Sequence, residues 1–335
     1  MFINALLLKM SNPSMIMKNF VLKLVPLVDI LLLVPLAMTA PILKIFAKLG
    51  GGRLPKCREL LKAARIYPIP DHYYYPLFRD SILKKSLGEK RSLPGIDWKI
   101  DSQLSFLNAL HFESELLDMN INEKSADLLQ FSFGNGGFES GDAEFLYQLI
   151  RYLKPQTIIE IGSGNSTIIA HEAVKRNYTA TGEMATHICI EPYEMPWLEK
   201  LGVKVVRKLV EDCELKMFQK LKSNDLLFID SSHMIRPQGD VLFEYLELIP
   251  TLQKGVFVHV HDIFSPRDYL ENWIRKDVRF WNEQYLLEAL LTNTIKYDIV
   301  AALNYLHHEH YDSLKRVCPY LDKSREPGSF YFKVN

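Results

Sequence analysis

Two aspartates and two histidines stand where two apolar, strand-like segments end. Asp230 and His233 follow the first segment in FIDSSH, and His261 and Asp262 close the second in HVHD. Carboxylates with water suit Mg²⁺, and added imidazoles shift the preference toward Zn, Mn or Fe. An imidazole with an unperturbed pKa of about 6.5 can also remove a proton near neutral pH. These four residues are therefore the candidate catalytic residues, with Asp230 and Asp262 as candidate metal ligands.

A glycine-rich turn supplies a second chemical signal. The apolar run 157–161 leads into it, and the chain from Glu160 reads EIGSGNST. Glycines allow close approach of the backbone, and the start of the following helix offers free N–H groups to an anionic group. A dinucleotide-binding turn would have a third glycine where this chain has Thr167, which disfavours NAD. The candidate cofactor-binding residues of this turn are Glu160, Gly162, Ser163, Gly164 and Ser166.

The Glu-x-Gly-x-Gly pattern of this turn resembles motif I of class I methyltransferases, which holds the amino-acid end of S-adenosylmethionine. In that fold an acid at the tip of the second strand accepts hydrogen bonds from both ribose hydroxyls, as a bidentate carboxylate can. Glu191 occupies this place at the end of the predicted strand 187–191. Glu211 follows the third strand, where an acid or amide commonly meets the adenine. Asp230 completes the predicted cofactor contacts.

Further segments carry a family resemblance. GDAEFLYQLIRYLKPQTIIEIGSGNST, FIDSSH, HVHDIF and WNEQY together resemble the methyltransferase 24 family, a bacterial branch of the class I S-adenosylmethionine-dependent methyltransferases. The resemblance covers roughly Asp142 to Tyr297. It implies S-adenosylmethionine as the cofactor and an α/β, Rossmann-like, doubly wound, mainly parallel sheet with a reversed last strand. It does not imply a particular acceptor.

A weaker likeness runs to cation-dependent O-methyltransferases and cephalosporin-hydroxylase-like proteins. These place acids at the ends of the fourth and fifth strands to hold a divalent metal, as Asp230 and Asp262 would here. Their third ligand is not evident, because Ile263 follows Asp262. The sequence thus leaves open a metal site or a histidine base, His233 or His261. The WNEQY segment either faces the acceptor or caps the apolar helix that it opens.

Short β-branched runs alternate with helical patterns along the second half of the chain. Helices are predicted over 142–153 and 167–175, and an earlier helix over 103–119. This alternation is typical of a parallel sheet that is covered on both faces. Strands are predicted at 157–161, 187–191, 204–207, 225–230, 255–261, 297–301 and 329–334.

The N-terminal region is apolar and basic. Residues 24–43 read LVPLVDILLLVPLAMTAPIL, which is long enough to cross a bilayer. Its three prolines make a straight spanning helix doubtful. We therefore predict a membrane anchor over 24–47 that spans the bilayer or lies in one leaflet, and a buried helical hairpin at an oligomer interface is the alternative. Glycines 50–52 mark the anchor's end.

Three regions follow from these patterns. Residues 1–52 are the predicted anchor, 53–141 a helical and irregular lead-in that could cover the substrate, and 142–335 the methyltransferase domain. The formal net charge is zero, and the basic N-terminus leaves the remainder acidic, which argues against nucleic acid as a partner. Four widely spaced cysteines fit a cytoplasmic compartment. The sequence does not indicate the oligomeric state.

These observations predict a methyltransferase that transfers a methyl group to oxygen of a small-molecule or glycan-type acceptor. We place it at the cytoplasmic face of the inner membrane, because S-adenosylmethionine is a cytoplasmic metabolite. Two alternatives remain: a metal-dependent, hydroxylase-like enzyme on the same fold, and a non-catalytic, membrane-tethered scaffold that binds a nucleotide.

Overall fold

The computed structural model describes residues 15–69, 74–78, 80–119, 121–122, 125, 127–193 and 195–335. Residues 1–14 of the predicted anchor, and parts of the predicted substrate cover, lie outside this description. The chain divides into two compact units between Lys84 and Lys85. The domain boundaries after residues 52 and 141 stay a prediction.

Seven strands form one sheet in the second unit. The spatial order is β3-β2-β1-β4-β5-β7-β6. Neighbouring strands from β3 to β5 are parallel, whereas β7 runs antiparallel to both β5 and β6. The predicted mainly parallel sheet with a reversed last strand is confirmed. The strands are β1 (Thr157–Ile161), β2 (Thr186–Ile190), β3 (Lys204–Val206), β4 (Leu226–Ile229), β5 (Phe257–Val260), β6 (Tyr297–Ala302) and β7 (Phe330–Val334).

Helices precede and connect these strands. Two belong to the first unit, α1 (Met15–Leu49) and α2 (Pro55–Ala63). The second unit contains α3 (Ile100–Ala109), α4 (Glu113–Asp118), α5 (Asp142–Leu153), α6 (Asn165–Thr181), α7 (Leu215–Phe218), α8 (Asp240–Leu242), α9 (Glu271–Arg275), α10 (Glu283–Leu291), α11 (Leu303–Glu309) and α12 (Tyr311–Val317). Helix α8 continues as a π-helical segment, Phe243–Leu248, and 3₁₀ turns occur at Asp80–Ile82, Leu198–Leu201, Val210–Asp212 and Ile249–Thr251.

The central strands of the sheet are buried on both faces because they are mainly apolar. Alternate residues of β4 serve opposite faces: Leu226 and Phe228 belong to one hydrophobic core, and Leu227 and Ile229 to the other. Successive strand side chains point to opposite faces, so a continuous apolar run can fill two cores. The sheet is thereby fixed between two helical layers, and its strand ends are held in register.

The predicted helix over 103–119 is wrong as a single element. Helices α3 and α4 flank a break in which Leu110 adopts an extended conformation. The Phe112 backbone N–H donates to Gln148 Oε1 at 2.9 Å instead of continuing a helix. The break allows both Leu110 and Leu116 to be fully buried.

The first unit contains a long apolar helix. Helix α1 runs unbroken for 35 residues through Pro26, Pro35 and Pro41, so the described residues do not form the alternative hairpin. Its part Lys23–Leu49 is long and apolar enough to cross a membrane by length and composition, and none of its most apolar window is buried. Gly50 follows with a φ of +80°, which ends the helix where we predicted.

Candidate functional site

A cavity of about 390 Å³ opens at the carboxyl ends of β1, β2, β4 and β5. The strand order reverses between β1 and β4, which is where open α/β sheets bind their ligands. The predicted site residues that line this cavity are Gly162, Ser163, Gly164, Ser166, Glu191, Asp230, His261 and Asp262.

The glycine-rich turn forms one wall, and its two glycines have different roles. Gly162 has a φ of +73°, and a Cβ there would lie 1.8 Å from the carbonyl oxygen of Asp230. Gly164 is extended, and a Cβ there would lie 3.6 Å from the nearest neighbour, Met195 Cε. Gly162 is therefore required by the fold, whereas Gly164 leaves room beside the cavity.

Thr167 closes the turn onto helix α6. Its Oγ1 accepts a hydrogen bond from the Gly164 N–H at 3.0 Å, and its own N–H donates to the Gly164 carbonyl oxygen at 3.1 Å. Thr167 thus holds the start of the helix at the position where a dinucleotide turn has its third glycine.

Glu191 lies directly beyond β2, beside the turn. Its Oε2 accepts from the Ser163 N–H at 3.4 Å and its Oε1 from the Tyr193 N–H at 3.0 Å. A carboxylate oxygen can accept more than one hydrogen bond. The carboxylate is held in one orientation at the cavity wall, as a ribose acceptor would require.

Glu160 lies beneath the turn and does not line the cavity. It is 1% exposed and accepts a hydrogen bond from Ser166 Oγ at 2.5 Å. Its other oxygen lies 3.0 Å from His187 Nε2 and 3.6 Å from Cys189 Sγ. Burial and the charge of Glu160 raise the pKa of the Cys189 thiol. The structure thus gives Glu160 a part in supporting the turn, in place of the predicted direct contact.

Glu211 lies in the 3₁₀ turn Val210–Asp212 and is not among the residues that line the cavity. The turn follows β3, whereas the lining on that side comes from Glu191 and Met195. The structure therefore does not bring Glu211 to the cofactor cavity, and its predicted contact with adenine is unsupported.

The four predicted catalytic residues form one cluster. His233 Nε2 lies 3.3 Å from Asp230 Oδ1 and 3.5 Å from Asp262 Oδ2. His261 Nδ1 lies 3.6 Å from Asp230 Oδ1 and 3.5 Å from Asp262 Oδ1. Strand β5 ends at Val260. The side chains of His261 and Asp262 therefore do not have to point to opposite faces of the sheet, and both reach the cluster.

Two cluster residues have an unusual backbone. His233 has a φ of 58° and Asp262 a φ of 57°. Left-handed conformations of residues other than glycine cost about 1–3 kcal/mol and persist where the surroundings enforce them. Here the His233 carbonyl accepts from the Asn282 N–H at 3.0 Å, and the Ile263 N–H donates to the Gly328 carbonyl at 2.8 Å. The fold thus directs both side chains toward the same point.

Charges within the cluster shift the pKa values of its members. Burial lowers the pKa of His233, but hydrogen bonds to Asp230 and Glu283 outweigh it, so this pKa is raised well above its ordinary value. The charges of Asp262 and Asp230 outweigh burial in the same way and raise the pKa of His261. Burial raises the pKa of Asp230, yet the imidazoles lower it overall. Burial keeps the pKa of Asp262 raised. The surrounding carboxylates therefore favour the protonated form of both histidines.

Glu283 contacts His233 within the site, and the sequence did not predict this contact. Its Oε2 lies 2.8 Å from His233 Nδ1, and its Oε1 accepts from the Tyr245 hydroxyl at 3.0 Å. The side chain is fully buried. The bond fixes the proton on Nδ1 and turns Nε2 toward the two aspartates. The only signal in the sequence is an acid that opens an apolar helix, which is also typical of a helix cap.

Aromatic side chains form the outer wall beside the cluster. The ring of Trp281 packs on His233 at a centroid distance of 4.3 Å. The Arg279 guanidinium lies 4.7 Å from the Trp273 ring and 4.8 Å from the Trp281 ring. Trp273 and Arg279 line the cavity, whereas the residues of WNEQY are not among its lining and instead begin helix α10.

The cluster fits a divalent cation. One ligand atom each of Asp230, His233 and Asp262 lies within 4.8 Å of the other two. Two carboxylates and one imidazole are donors that Mn²⁺, Fe²⁺ or Zn²⁺ accept, and carboxylates with water also suit Mg²⁺. His233 could thereby provide the third ligand that the sequence did not reveal.

The central part of the chain is similar to a known family. Residues 159–263 match the model of the methyltransferase 24 family, whose description is "Methyltransferase domain". This stretch matches a methyltransferase domain. It begins in β1 and ends just after Asp262, so it contains the glycine-rich turn, Glu191 and the Asp/His cluster. The predicted resemblance is thus supported over this stretch, while the bacterial grouping stays a prediction.

Individual relatives are more distant. An uncharacterized protein of Archaeoglobus fulgidus is 26% identical over 174 residues, which cover 49% of this chain and 77% of that protein. A proposed O-methyltransferase of Klebsiella pneumoniae is 12% identical with a TM-score of 0.40, covering 69% of this chain and 99% of that one. An O-methyltransferase of Bacillus cereus in complex with SAH is 13% identical with a TM-score of 0.34, covering 76% and 96%. Both structural likenesses are weak.

Proposed function

We propose that this protein is an S-adenosylmethionine-dependent methyltransferase that methylates an oxygen of a small-molecule or glycan-type acceptor. One observation carries the proposal. A single cavity joins the glycine-rich turn and Glu191 on one side to the Asp/His cluster on the other, at the switch point of the sheet. Donor-binding groups and acid–base groups therefore face the same space.

The residues of the chain have separate tasks in this proposal. The turn from Gly162 to Gly164 lets the backbone approach the amino-acid end of the donor, and Glu191 accepts the ribose hydroxyls. S-adenosylmethionine supplies the methyl group. Alignment of donor and acceptor within one cavity provides most of the rate increase. Asp230 and Asp262 lie where an acceptor hydroxyl would lose its proton.

We further propose that Asp230, His233 and Asp262 hold a divalent cation. The alternative, a histidine acting alone as the base, gives no role to the convergence of both carboxylates on His233 Nε2, at 3.3 and 3.5 Å. The bond from Glu283 to His233 Nδ1 also matches the carboxylate–histidine arrangement that orients metal-ligating histidines. Such a cation would lower the pKa of a hydroxyl bound to it.

Cation binding can be measured without activity. Protein stripped with a chelator is titrated with Mn²⁺, and free Mn²⁺ is followed by electron paramagnetic resonance. We expect one site that Asp230→Asn weakens, whereas Asp277→Asn, a partly exposed acid outside the cluster, leaves it unchanged. No Mn²⁺ binding by the wild-type chain would restore the base alternative. An alanine variant of that base would then lose roughly 10²–10⁴-fold in rate.

Methyl transfer is tested with methyl-labelled S-adenosylmethionine and a cell extract divided into small-molecule, glycan and lipid fractions. Wild-type protein should label the small-molecule or glycan fraction, and Asp262→Asn should reduce that label. Cofactor binding without any labelled product would favour the scaffold alternative. Oxygen uptake that depends on iron would favour the hydroxylase-like alternative.

We also propose that the protein is attached to the cytoplasmic face of a membrane through residues 24–47. Helix α1 supports this proposal because many of its apolar side chains between Leu24 and Leu49 are exposed. Leu31, Leu33 and Met38 are between 65% and 72% exposed. A continuous apolar surface of this extent is typical of membrane contact.

A further inference from the structure

A basic segment follows the apolar helix in the first unit. From Arg53 to Arg65 the chain contains a single acid, Glu59. The Arg53 guanidinium donates to the Leu49 carbonyl at 3.1 Å, which holds its charge at the end of helix α1. No residue of helix α2 is buried in the structure. The basic residues of this segment are Arg53, Lys56, Arg58, Lys62 and Arg65.

Helix α2 separates its apolar and basic side chains. Cys57, Leu60 and Leu61 are spaced three and four residues apart and share one face. Arg58 and Lys62 are four residues apart and lie on the polar side of the helix, where the Arg58 guanidinium also pairs with Glu59 at 2.9 Å. Leu60 is 72% exposed, so the apolar face has no protein cover at this point. A short helix with one apolar and one basic face is suited to the boundary between lipid headgroups and acyl chains.

We propose that residues 53–65 bind anionic phospholipid headgroups at the membrane surface. This inference rests on the proposed membrane attachment of helix α1, which ends only four residues before Arg53. Leu60 and Leu61 would enter the acyl boundary, while Arg58 and Lys62 would contact the phosphates. A basic segment next to a spanning helix is attracted to the anionic cytoplasmic leaflet.

The segment also favours one orientation of helix α1. Seven Lys/Arg residues lie from Lys44 to Arg65, against three, Lys9, Lys18 and Lys23, before residue 24. Lys/Arg residues close to a membrane helix mark its cytoplasmic side. The second unit follows this segment, so headgroup binding would keep that unit in the compartment that contains S-adenosylmethionine.

Cys57 provides a probe at the centre of the apolar face. It is exposed, whereas Cys189 and Cys318 are buried and Cys213 is intermediate. The full-length Cys213→Ser chain is labelled at Cys57 with an environment-sensitive fluorophore. It is then reconstituted into phosphatidylcholine vesicles with or without phosphatidylglycerol. We expect a blue shift of the emission in anionic vesicles that about 0.5 M NaCl largely removes, because salt screens such contacts.

Charge variants make the test specific. The triple variant K56Q/R58Q/K62Q should lose most of the blue shift, whereas K216Q/K220Q/K222Q removes the same charge from the second unit and should retain it. Equal emission in neutral and anionic vesicles would overturn the inference. A blue shift caused by polyuridylate, an anionic RNA, in place of anionic lipid would overturn it as well. Flotation with neutral vesicles tests the anchor separately. A protein that fails to float but still shifts with anionic lipid would contradict the anchor and support the basic segment.

Discussion

At the residue scale, Gly162 and Gly164 show that two glycines of one motif can be needed for different reasons. Gly162 combines a positive φ with a close approach to the Asp230 carbonyl, whereas Gly164 is extended and a Cβ there would make only an ordinary contact with Met195. The sequence predicted both as cofactor residues. It could not separate them, because the distance from β1 to the end of β4 depends on the pairing of the strands.

This difference gives a stability prediction. Gly162→Ala should lower the free energy of unfolding by about 1–3 kcal/mol for the backbone conformation alone, and by more through the clash with Asp230. Gly164→Ala, the matched control, should change it little, because a Cβ there makes only an ordinary contact. Urea denaturation of both variants provides the comparison. Equal destabilisation of the two would contradict this division of roles.

Glu283 shows what a sequence cannot reveal about a site. The residue lies fifty positions after His233, and only the folded chain brings their side chains together. We expect Glu283→Gln to weaken Mn²⁺ binding about 10–100-fold, the usual effect of losing such a supporting carboxylate. The same substitution at Glu271, which is exposed on helix α9 and pairs with Arg275, should leave Mn²⁺ affinity unchanged. Unaltered Mn²⁺ binding by Glu283→Gln would show that this contact only serves packing.

At the element scale, all seven strands were predicted close to their observed bounds. Their apolar runs are short, β-branched and buried on both faces, so composition alone identifies them. The break between α3 and α4 was missed because it depends on the side chain of Gln148 from a distant helix. Helix α6 extends to Thr181, six residues beyond its predicted end, and Gly182 then ends it with a φ of +75°.

Helix α6 gives a prediction about pH. Burial, with smaller contributions from Lys175 and His187, lowers the pKa of His171 to about 4. As the pH falls, His171 of the unfolded chain binds a proton near the ordinary pKa of 6.5, whereas His171 of the folded chain does so only near 4. Stability should fall as the pH decreases from about 6.5 to about 4.

Replacement of His171 should remove part of this acid sensitivity. The denaturation midpoint should be measured at pH values of about 7 and about 5, which lie on either side of the ordinary histidine pKa of about 6.5. Between these two values the midpoint of His171→Gln should fall less than that of the wild type. His111→Gln, at an exposed histidine, should behave like the wild type. An identical loss in His171→Gln and the wild type would exclude this group as the cause.

At the scale of the whole molecule, the chain is an apolar, basic first unit followed by a sheet unit that begins at Lys85. The sequence suggested a catalytic domain from Asp142 because regular alternation starts there. Between Lys85 and Asp142 the described residues contain only the short helices α3 and α4, yet Leu107 and Leu116 from these helices belong to the same core as Phe145. Helices of this length give only a weak periodic pattern, so their packing against the sheet unit could not be predicted.

Removal of residues 1–50 should release the protein from membranes without unfolding the sheet unit. Helix α1 ends at Leu49. Neither of the two hydrophobic cores contains a side chain from the described part of this helix. The shortened chain should appear in the soluble fraction with an unchanged melting temperature for the sheet unit. If the full-length chain is already soluble after lysis in low salt, the anchor proposal is wrong.

The most direct test of the central claim is isothermal titration of the chain with S-adenosylhomocysteine. The wild type should bind one equivalent, and Glu191→Ala should weaken binding by roughly 10–100-fold, as expected for lost hydrogen bonds to a charged acceptor. Gly164→Val should weaken binding by filling the space beside the turn. Glu214→Ala, at an exposed acid near β3, is the control and should bind like the wild type. Unchanged affinity in both Glu191→Ala and Gly164→Val, or no binding by the wild type, would contradict the proposed cofactor site.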